Sequence, residues 1–205
     1  MAEVKLTKTE LRVQQLKLDR LQKYLPTLQL KKAMLQVEVN QAQAEIEGLR
    51  SDFSTAHGNV GRYCSLFTDR HAPDLFSAVN IVEVQTSFEN IAGVDIPLFE
   101  GVVFETSGYS LFDTPIWFET AIEGVKDLLT AREKIKIAEE KKRLLEKELR
   151  EVSIRVNLFE KILIPRAQQN IKKIKIFLGD QQLAAVSQAK VAKKKIQMRN
   201  EGKGR

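Results

Sequence analysis

The chain has 205 residues, 33 basic against 27 acidic, a formal net charge of +6 and a single cysteine. No apolar run approaches the ~18 residues a membrane-crossing helix needs, which excludes a helical membrane span. Cys64 has no partner for an internal disulfide, as fits a reducing compartment, and the acids within Met1–Glu10 set that stretch apart from a signal peptide.

Charge is unevenly spread. Residues 1–50 hold 9 basic and 6 acidic side chains, residues 51–120 hold 2 and 10, residues 121–189 hold 15 and 10, and residues 190–205 hold 7 and 1. A basic tail alone can mean nucleic acid. This one carries no aromatic residue for base stacking, and the acidic middle repels a phosphate backbone, so no nucleic-acid partner is expected.

The first predicted element is a heptad helix. With position a at Leu11, the a seats are Leu11, Leu18, Leu25, Lys32, Val39, Ile46 and Phe53, and the d seats are Gln14, Leu21, Leu28, Leu35, Ala42 and Leu49. Only Gln14 and Lys32 interrupt the apolar seam, so residues 7–53 form a helix that packs along one stripe. The register continues through Ala56, Val60, Tyr63 and Phe67 and extends the helix toward Asp69, with Gly58 and Gly61 each weakening it by about 1 kcal/mol relative to alanine. Pro26 either kinks this helix or marks its true start. His71-Ala-Pro73 ends the element.

The middle changes character. After a short helical turn over Asp74–Val79, three stretches read as strands: Asn80–Thr86, Asn90–Pro97 with a glycine irregularity, and Gly101–Thr106 as a third strand or a loop extension. A sheet of two or three strands cannot stand alone in water and must lean on the helices or on another protein. Aromatic and aliphatic residues crowd the zone from Leu98 to Phe118, as local core and in part as a docking patch. Ser107–Pro115 reads as a loop, with Thr114 as N-cap and Pro115 at the first helical position of the next helix.

The second long helix runs from near Ile116 to about Lys195. Its a seats are Ala121, Leu128, Ile135, Lys142, Leu149, Val156 and Leu163, and its d seats Gly124, Ala131, Ala138, Leu145, Val152 and Phe159. These 43 residues span ~65 Å at 1.5 Å per residue, so their partner must be as long, and the first helix is the candidate. After Leu163 the seam steps to Ala167, Ile171, Ile174 and Leu178, a four-residue stutter that locally unwinds a supercoil. Pro165 sits at the stutter and marks a helix bend. Beyond it, glutamines and alanines replace leucines; this helix either outruns its partner or lies inside a sleeve of other proteins. The last residues, 200–205, are expected to be disordered.

The fold class expected is mainly α: a long antiparallel two-helix coiled-coil hairpin formed by N- and C-terminal helices, with a small β-hairpin-containing middle segment. The segments are 1–70, 71–115, 116–199 and 200–205. An ordinary compact bundle fits less well, because neither long stretch carries the turn signals a bundle needs.

Catalytic chemistry is missing from the pattern. His57 and His71 are not spaced with Cys64 or with carboxylates as metal ligands are. There is no phosphate-binding Gly-x-x-x-x-Gly-Lys-Ser/Thr loop, and the carboxylates sit on heptad helices as a solvated face. No cofactor is expected.

Three stretches carry a resemblance. Arg155-Val-Asn-Leu-Phe-Glu-Lys-Ile-Leu-Ile-Pro-Arg166 resembles the C-terminal signature of the D-subunit family of V/A-type rotary ATPases, Asn90-Ile-Ala-Gly-Val-Asp-Ile-Pro97 resembles that family's middle segment, and Lys8–Leu49 is similar to its N-terminal helix. Leu6-Thr7 stands where many members have Pro-Thr, and Leu98–Phe112 is longer than in many relatives. The resemblance implies a non-catalytic rotor axle that inserts, termini first, into a hexamer of catalytic A and regulatory B subunits. It implies further that its other end pairs with the F subunit and stands on the subunit coupling to the membrane ring, at the cytoplasmic face of a bacterial membrane. On that basis Lys193, Lys194, Lys195 and Arg199 are candidates for contact with the hexamer. Val82, Val84, Ile91, Val94 and Ile96 are candidates for contact with the central-stalk partner or for the core of the middle segment. Competing functions are a free-standing coiled-coil scaffold or holdase, a nucleic-acid clamp, and the gamma axle of F-type ATPases, whose α/β domain is larger than this middle segment.

Overall fold

A computed structural model of the chain describes residues 4–62, 78–106 and 114–202, with the side chains of 106 and 200–202 left aside. The elements run α1 (Lys8–Gly61), β1 (Val79–Ile91), β2 (Val94–Thr106) and α2 (Trp117–Leu158), then a π-helical turn (Phe159–Leu163) and α3 (Ile164–Gly202). The fold class is the expected one: two long antiparallel helical arms and one two-stranded β-hairpin. The expected helix end at His71–Pro73, and Cys64, Tyr109, Leu111 and Phe112, lie outside the described residues, as does the turn expected over Asp74–Val79 up to residue 77, while Val79 belongs to β1. Contacts divide the chain into two units, one of residues 1–30 with 153–205 and one of residues 31–152.

Thr7 starts α1. Its Oγ1 accepts a hydrogen bond from the Glu10 N–H at 3.2 Å, which satisfies one of the donors a helix start leaves orphaned. Pro26 lies inside α1, so the alternative of a helix start at Pro26 is overturned. The proline has no N–H to give to the preceding turn, and next to it the Thr27 hydroxyl donates to the Tyr24 carbonyl at 2.7 Å.

In the 31–152 unit, cross-helix bonds fix the direction of pairing. Lys31 meets Glu148, Gln43 meets Lys142, Glu45 meets Lys141, and Arg50 meets Glu139. Positions rise along α1 as they fall along α2, so the helices are antiparallel. Every seat named from Leu11 to Val60 and from Ala121 to Leu163 is buried or half-buried, while almost all residues between the α1 seats are exposed. Gly124, which interrupts the apolar seam on paper, belongs to it: a β-carbon there would lie 3.1 Å from Val60 Cγ2. The missing side chain is what lets the backbones approach.

The hairpin corrects the strand boundaries. The three stretches read as strands merge into two strands of 13 residues, within the expected two or three. Asn90–Pro97, read as a strand, contains the turn: Ile91 pairs with Val94 across Ala92 and Gly93, at φ +52° and +82°. Positive φ at both central residues is the type I′ geometry that matches strand twist. The Asn90 side chain supports it, accepting from Gly93 N–H at 3.0 Å and donating to Asp95 Oδ1 at 2.6 Å. Register shifts at Ile81/Glu83 and Gln85/Thr86 bend the ladder.

At the hairpin base, Ala78, Val79, Phe118, Ala121, Ile122 and Val125 form one buried cluster, flanked by Phe104, Trp117 and Leu129. The second arm begins at Trp117, next to the expected Ile116, with Phe118 N–H bonded to the Pro115 carbonyl at 2.9 Å. Just before the expected stutter, over Phe159–Leu163, the backbone forms the π-turn, and Ile164 N–H reaches back five residues to the Phe159 carbonyl. One extra residue per turn is how a helix absorbs a step in its seam. The seam resumes at Ala167, Ile171 and Ile174, all buried.

Candidate functional site

The candidate functional features are surfaces, and they build up from three sequence patterns. The first is the end of α3. From Asp180 to Arg199 every residue is exposed, and Leu183, Val186, Val191, Ile196 and Met198 are among them. Seam burial stops at Leu178 and Gly179, both half-buried. Lys193, Lys194, Lys195 and Arg199 ride on this exposed helix, so their charges are solvated and within reach of another molecule.

The second is the outer surface of the 1–30 and 153–205 unit. Ile154, Leu158 and Ile162 recur every four residues and are all exposed, as are Val13, Leu16 and Tyr24 on α1. A spacing of four places residues on one helical face, opposite the seam. Pro165 is half-buried and follows the π-turn directly. A groove of about 460 Å³ in this unit is lined by Lys5, Lys17 and Arg166, among others.

The third is the β-hairpin. Its strands hold Glu83, Glu89, Asp95, Glu100 and Glu105 and no basic residue. The five candidate residues here separate. Ile96 is fully buried, Val84, Ile91 and Val94 are half-buried, and Val82 is 61% exposed. Phe88, at 71%, is the more exposed aromatic and was not singled out by the sequence pattern. β2 is the inner strand, with Ile96 and Pro97 buried, and Lys134 of α2 stands over the Phe99 ring at 5.4 Å from its centroid.

A second stripe on α2 escaped the heptad count. Ile122, Leu129, Glu133, Ile137, Lys141, Leu144 and Glu148 lie off the seam, yet all are buried or half-buried. The signal was the surplus of apolar residues outside seats a and d: Ile122, Leu129, Ile137 and Leu144, seven or eight apart. Glu133 is the one buried charged residue among those described. Burial works against its charged form, but hydrogen bonds from Lys136 at 2.7 Å and Arg132 at 3.0 Å outweigh this and hold its pKa below the usual glutamate value. Among the described residues no cluster of His, Cys, Asp and Glu is placed to hold a metal ion, and no helix is long and apolar enough to cross a membrane.

Fold and surfaces together define a coiled-coil protein with many apolar side chains exposed along its helices. A family model described as the D subunit of ATP synthase matches residues 10–194. Relatives named as the D subunit of V-type ATP synthase align over nearly the full length of both chains. The one from Chlamydia caviae is 42% identical over 201 residues, covering 98% of this chain and 97% of its own. That from Chlamydia muridarum is 43% identical over 201 residues, covering 98% and 99%. The protein from Chlamydia pneumoniae is 42% identical over 198 residues, covering 96% and 95%. The chain belongs to the ATP synthase D-subunit family.

Proposed function

We propose that this chain is the rotor shaft of the central stalk in a bacterial V/A-type ATPase or ATP synthase. It carries torque between the catalytic hexamer of A and B subunits and the ion-translocating membrane ring. It holds no catalytic site or cofactor of its own. The observation that supports this best is the end of α3, where a helix of this length exposes Leu183, Val186, Val191, Ile196 and Met198 with no seam partner. Exposed apolar surface of this kind marks sites where other chains bind, and the relatives' names as V-type ATP synthase subunits support the reading.

In this reading the basic tip, Lys193, Lys194, Lys195 and Arg199, faces the bore of the hexamer. The F subunit and the subunit that couples to the ring meet the parts nearer the hairpin, with Val82 and Phe88 among the contact residues. The chain is then a peripheral component of a membrane-bound complex on its cytoplasmic face. Pro165 and the π-turn give the shaft a bend, so that the three catalytic sites meet different faces of it at any moment.

Affinity capture of the tagged full-length chain from native membranes tests the proposal. Co-recovery of A, B and F subunits in a complex that hydrolyses ATP is the expected result. Recovery of the chain alone or with copies of itself would instead identify a free-standing scaffold.

A further inference from the structure

The second stripe on α2 and the hairpin have matching lengths. A strand of 13 residues reaches ~43 Å at ~3.3 Å per residue. From Ile122 to Glu148 α2 rises ~39 Å at 1.5 Å per residue. The two ends of the match are both visible. At one end the hairpin base shares a buried cluster with Phe118, Ile122 and Val125. At the other, a β-carbon on turn residue Gly93 would lie 3.8 Å from Lys31 Nζ, and that ammonium bonds Glu148 Oε1 at 2.7 Å. Lys31 therefore pairs α1 with α2 right beside the tip of the hairpin. Between the ends, Phe99 sits beneath Lys134, and a groove of about 330 Å³ remains between Leu49, Ile137, Ala138 and the Pro97–Phe99 segment.

The seam beneath needs such support. Its buried seats include Ala42 and Ala138, and Lys32 and Lys142 occupy a seats. Alanine and lysine contribute little apolar area to a two-helix interface. Ile96, fully buried, comes from the hairpin.

We propose that the β-hairpin is a strap that holds α1 and α2 together over residues 31–61 and 117–148, anchored by the buried cluster at its base and by buried Ile96 toward its tip, where the turn lies beside the Lys31–Glu148 pair. Held by a buried cluster at its base and only flanked by an ion pair at its tip, it opens from the tip. The proposal concerns the 31–152 unit alone and stands independently of the rotor assignment.

Amide hydrogen exchange on the full-length chain tests it. Ile96→Ser should free the hairpin and raise exchange at least tenfold both in β1–β2 and in the seam segments 35–49 and 134–149, leaving 11–25 and 156–174 unchanged. Lys31→Ala should raise exchange several-fold, first in residues 88–98 and then in the seam, and the exchanged pair Lys31→Glu with Glu148→Lys should recover part of the protection. Faster hairpin exchange with an unchanged seam would overturn the proposal, because the hairpin would then be a passenger. Equal acceleration in every helix would also overturn it, since a strap acts on one unit only.

Discussion

A β-carbon added to Gly124 would stand 3.1 Å from Val60 Cγ2. That is the closest approach of a glycine to a neighbouring side chain in the described chain, and it occurs between a d seat of one arm and a seat of the other. Gly124→Ala sets a gain of about 1 kcal/mol in helix propensity against a small displacement of Val60, so thermal unfolding should shift little. Gly124→Leu cannot be accommodated without separating the helices and should cost about 1–3 kcal/mol, as overpacking does. Denaturant unfolding of the two variants checks the difference.

Leu35 and Leu145 are both fully buried seam seats, whereas Leu183 is 69% exposed. Leu35→Ala or Leu145→Ala should destabilise the isolated chain by about 2–5 kcal/mol, for lost transfer free energy plus a cavity. Leu183→Ala should stay within about 0.5 kcal/mol and yet weaken capture of A and B subunits. Unfolding midpoints set beside co-purification yields separate the two kinds of leucine.

Much of this was legible in advance because a coiled coil writes its core as a period. Every seat from Leu11 to Val60 and from Ala121 to Leu163 is at least half-buried, and a π-turn ends where the stutter was expected to begin, at Leu163. The hairpin was less legible. Ala92 lies in the left-handed region at φ +52°, a conformation alanine rarely adopts, so Asn90–Pro97 looked like unbroken strand with one irregular glycine. The Asn90-Ile-Ala-Gly93 spacing, an asparagine oxygen three residues before a glycine N–H, was the available clue. The second stripe on α2 was missed for another reason. Heptad counting assigns each helix one partner, and Ile122, Leu129, Ile137 and Leu144 serve a second. Exposure on a two-stranded hairpin follows no heptad, so exposed Phe88 could not be told from a core aromatic.

Glu133 gives a pH dependence with a definite sign. Its folded pKa is lowered, so it binds fewer protons in the folded state than in the unfolded state near the ordinary glutamate value. Its stabilising contribution is present in full above the unfolded pKa and is lost as pH falls through the lower, folded one. Glu133→Gln should therefore reduce stability at neutral pH and flatten the acid limb of the profile below the usual glutamate range. Unfolding midpoints of both proteins between about pH 3 and 7 should converge at the acid end.

Neutralising the tip, with Lys193, Lys194, Lys195 and Arg199 all changed to glutamine, should leave the isolated chain as stable as before, because these side chains are exposed. Assembly with the A and B subunits should weaken most at low ionic strength, where unscreened charge contributes most. Binding of the hexamer measured across a salt series gives the slope, and equal affinity at every salt concentration would remove the tip from the interface.

Pro165→Ala restores a backbone donor just after the π-turn. If the turn and the proline together set a bend, the variant should uncouple ATP hydrolysis from ion transport more than it lowers hexamer affinity. Hydrolysis and ion pumping measured in the same vesicles report the ratio, and an unchanged ratio would show that torque does not depend on this proline.

The antiparallel pairing also has a history in time. Leu21 belongs to the unit made of residues 1–30 with 153–205, so a stretch made long before its partner is among the last to be covered. At ~5–20 residues per second, the ~150 residues from Leu30 to Leu178 take roughly 7–30 s to appear. Through that interval the leucines of early α1 have no matching surface within their own chain. An isolated helix is marginal in water, and this one displays an apolar stripe on one side and Val13, Leu16 and Tyr24 on another. The nascent protein is therefore expected to depend on chaperones in proportion to how slowly its second arm is translated, and synonymous changes that delay synthesis beyond Ala121 should lower its yield.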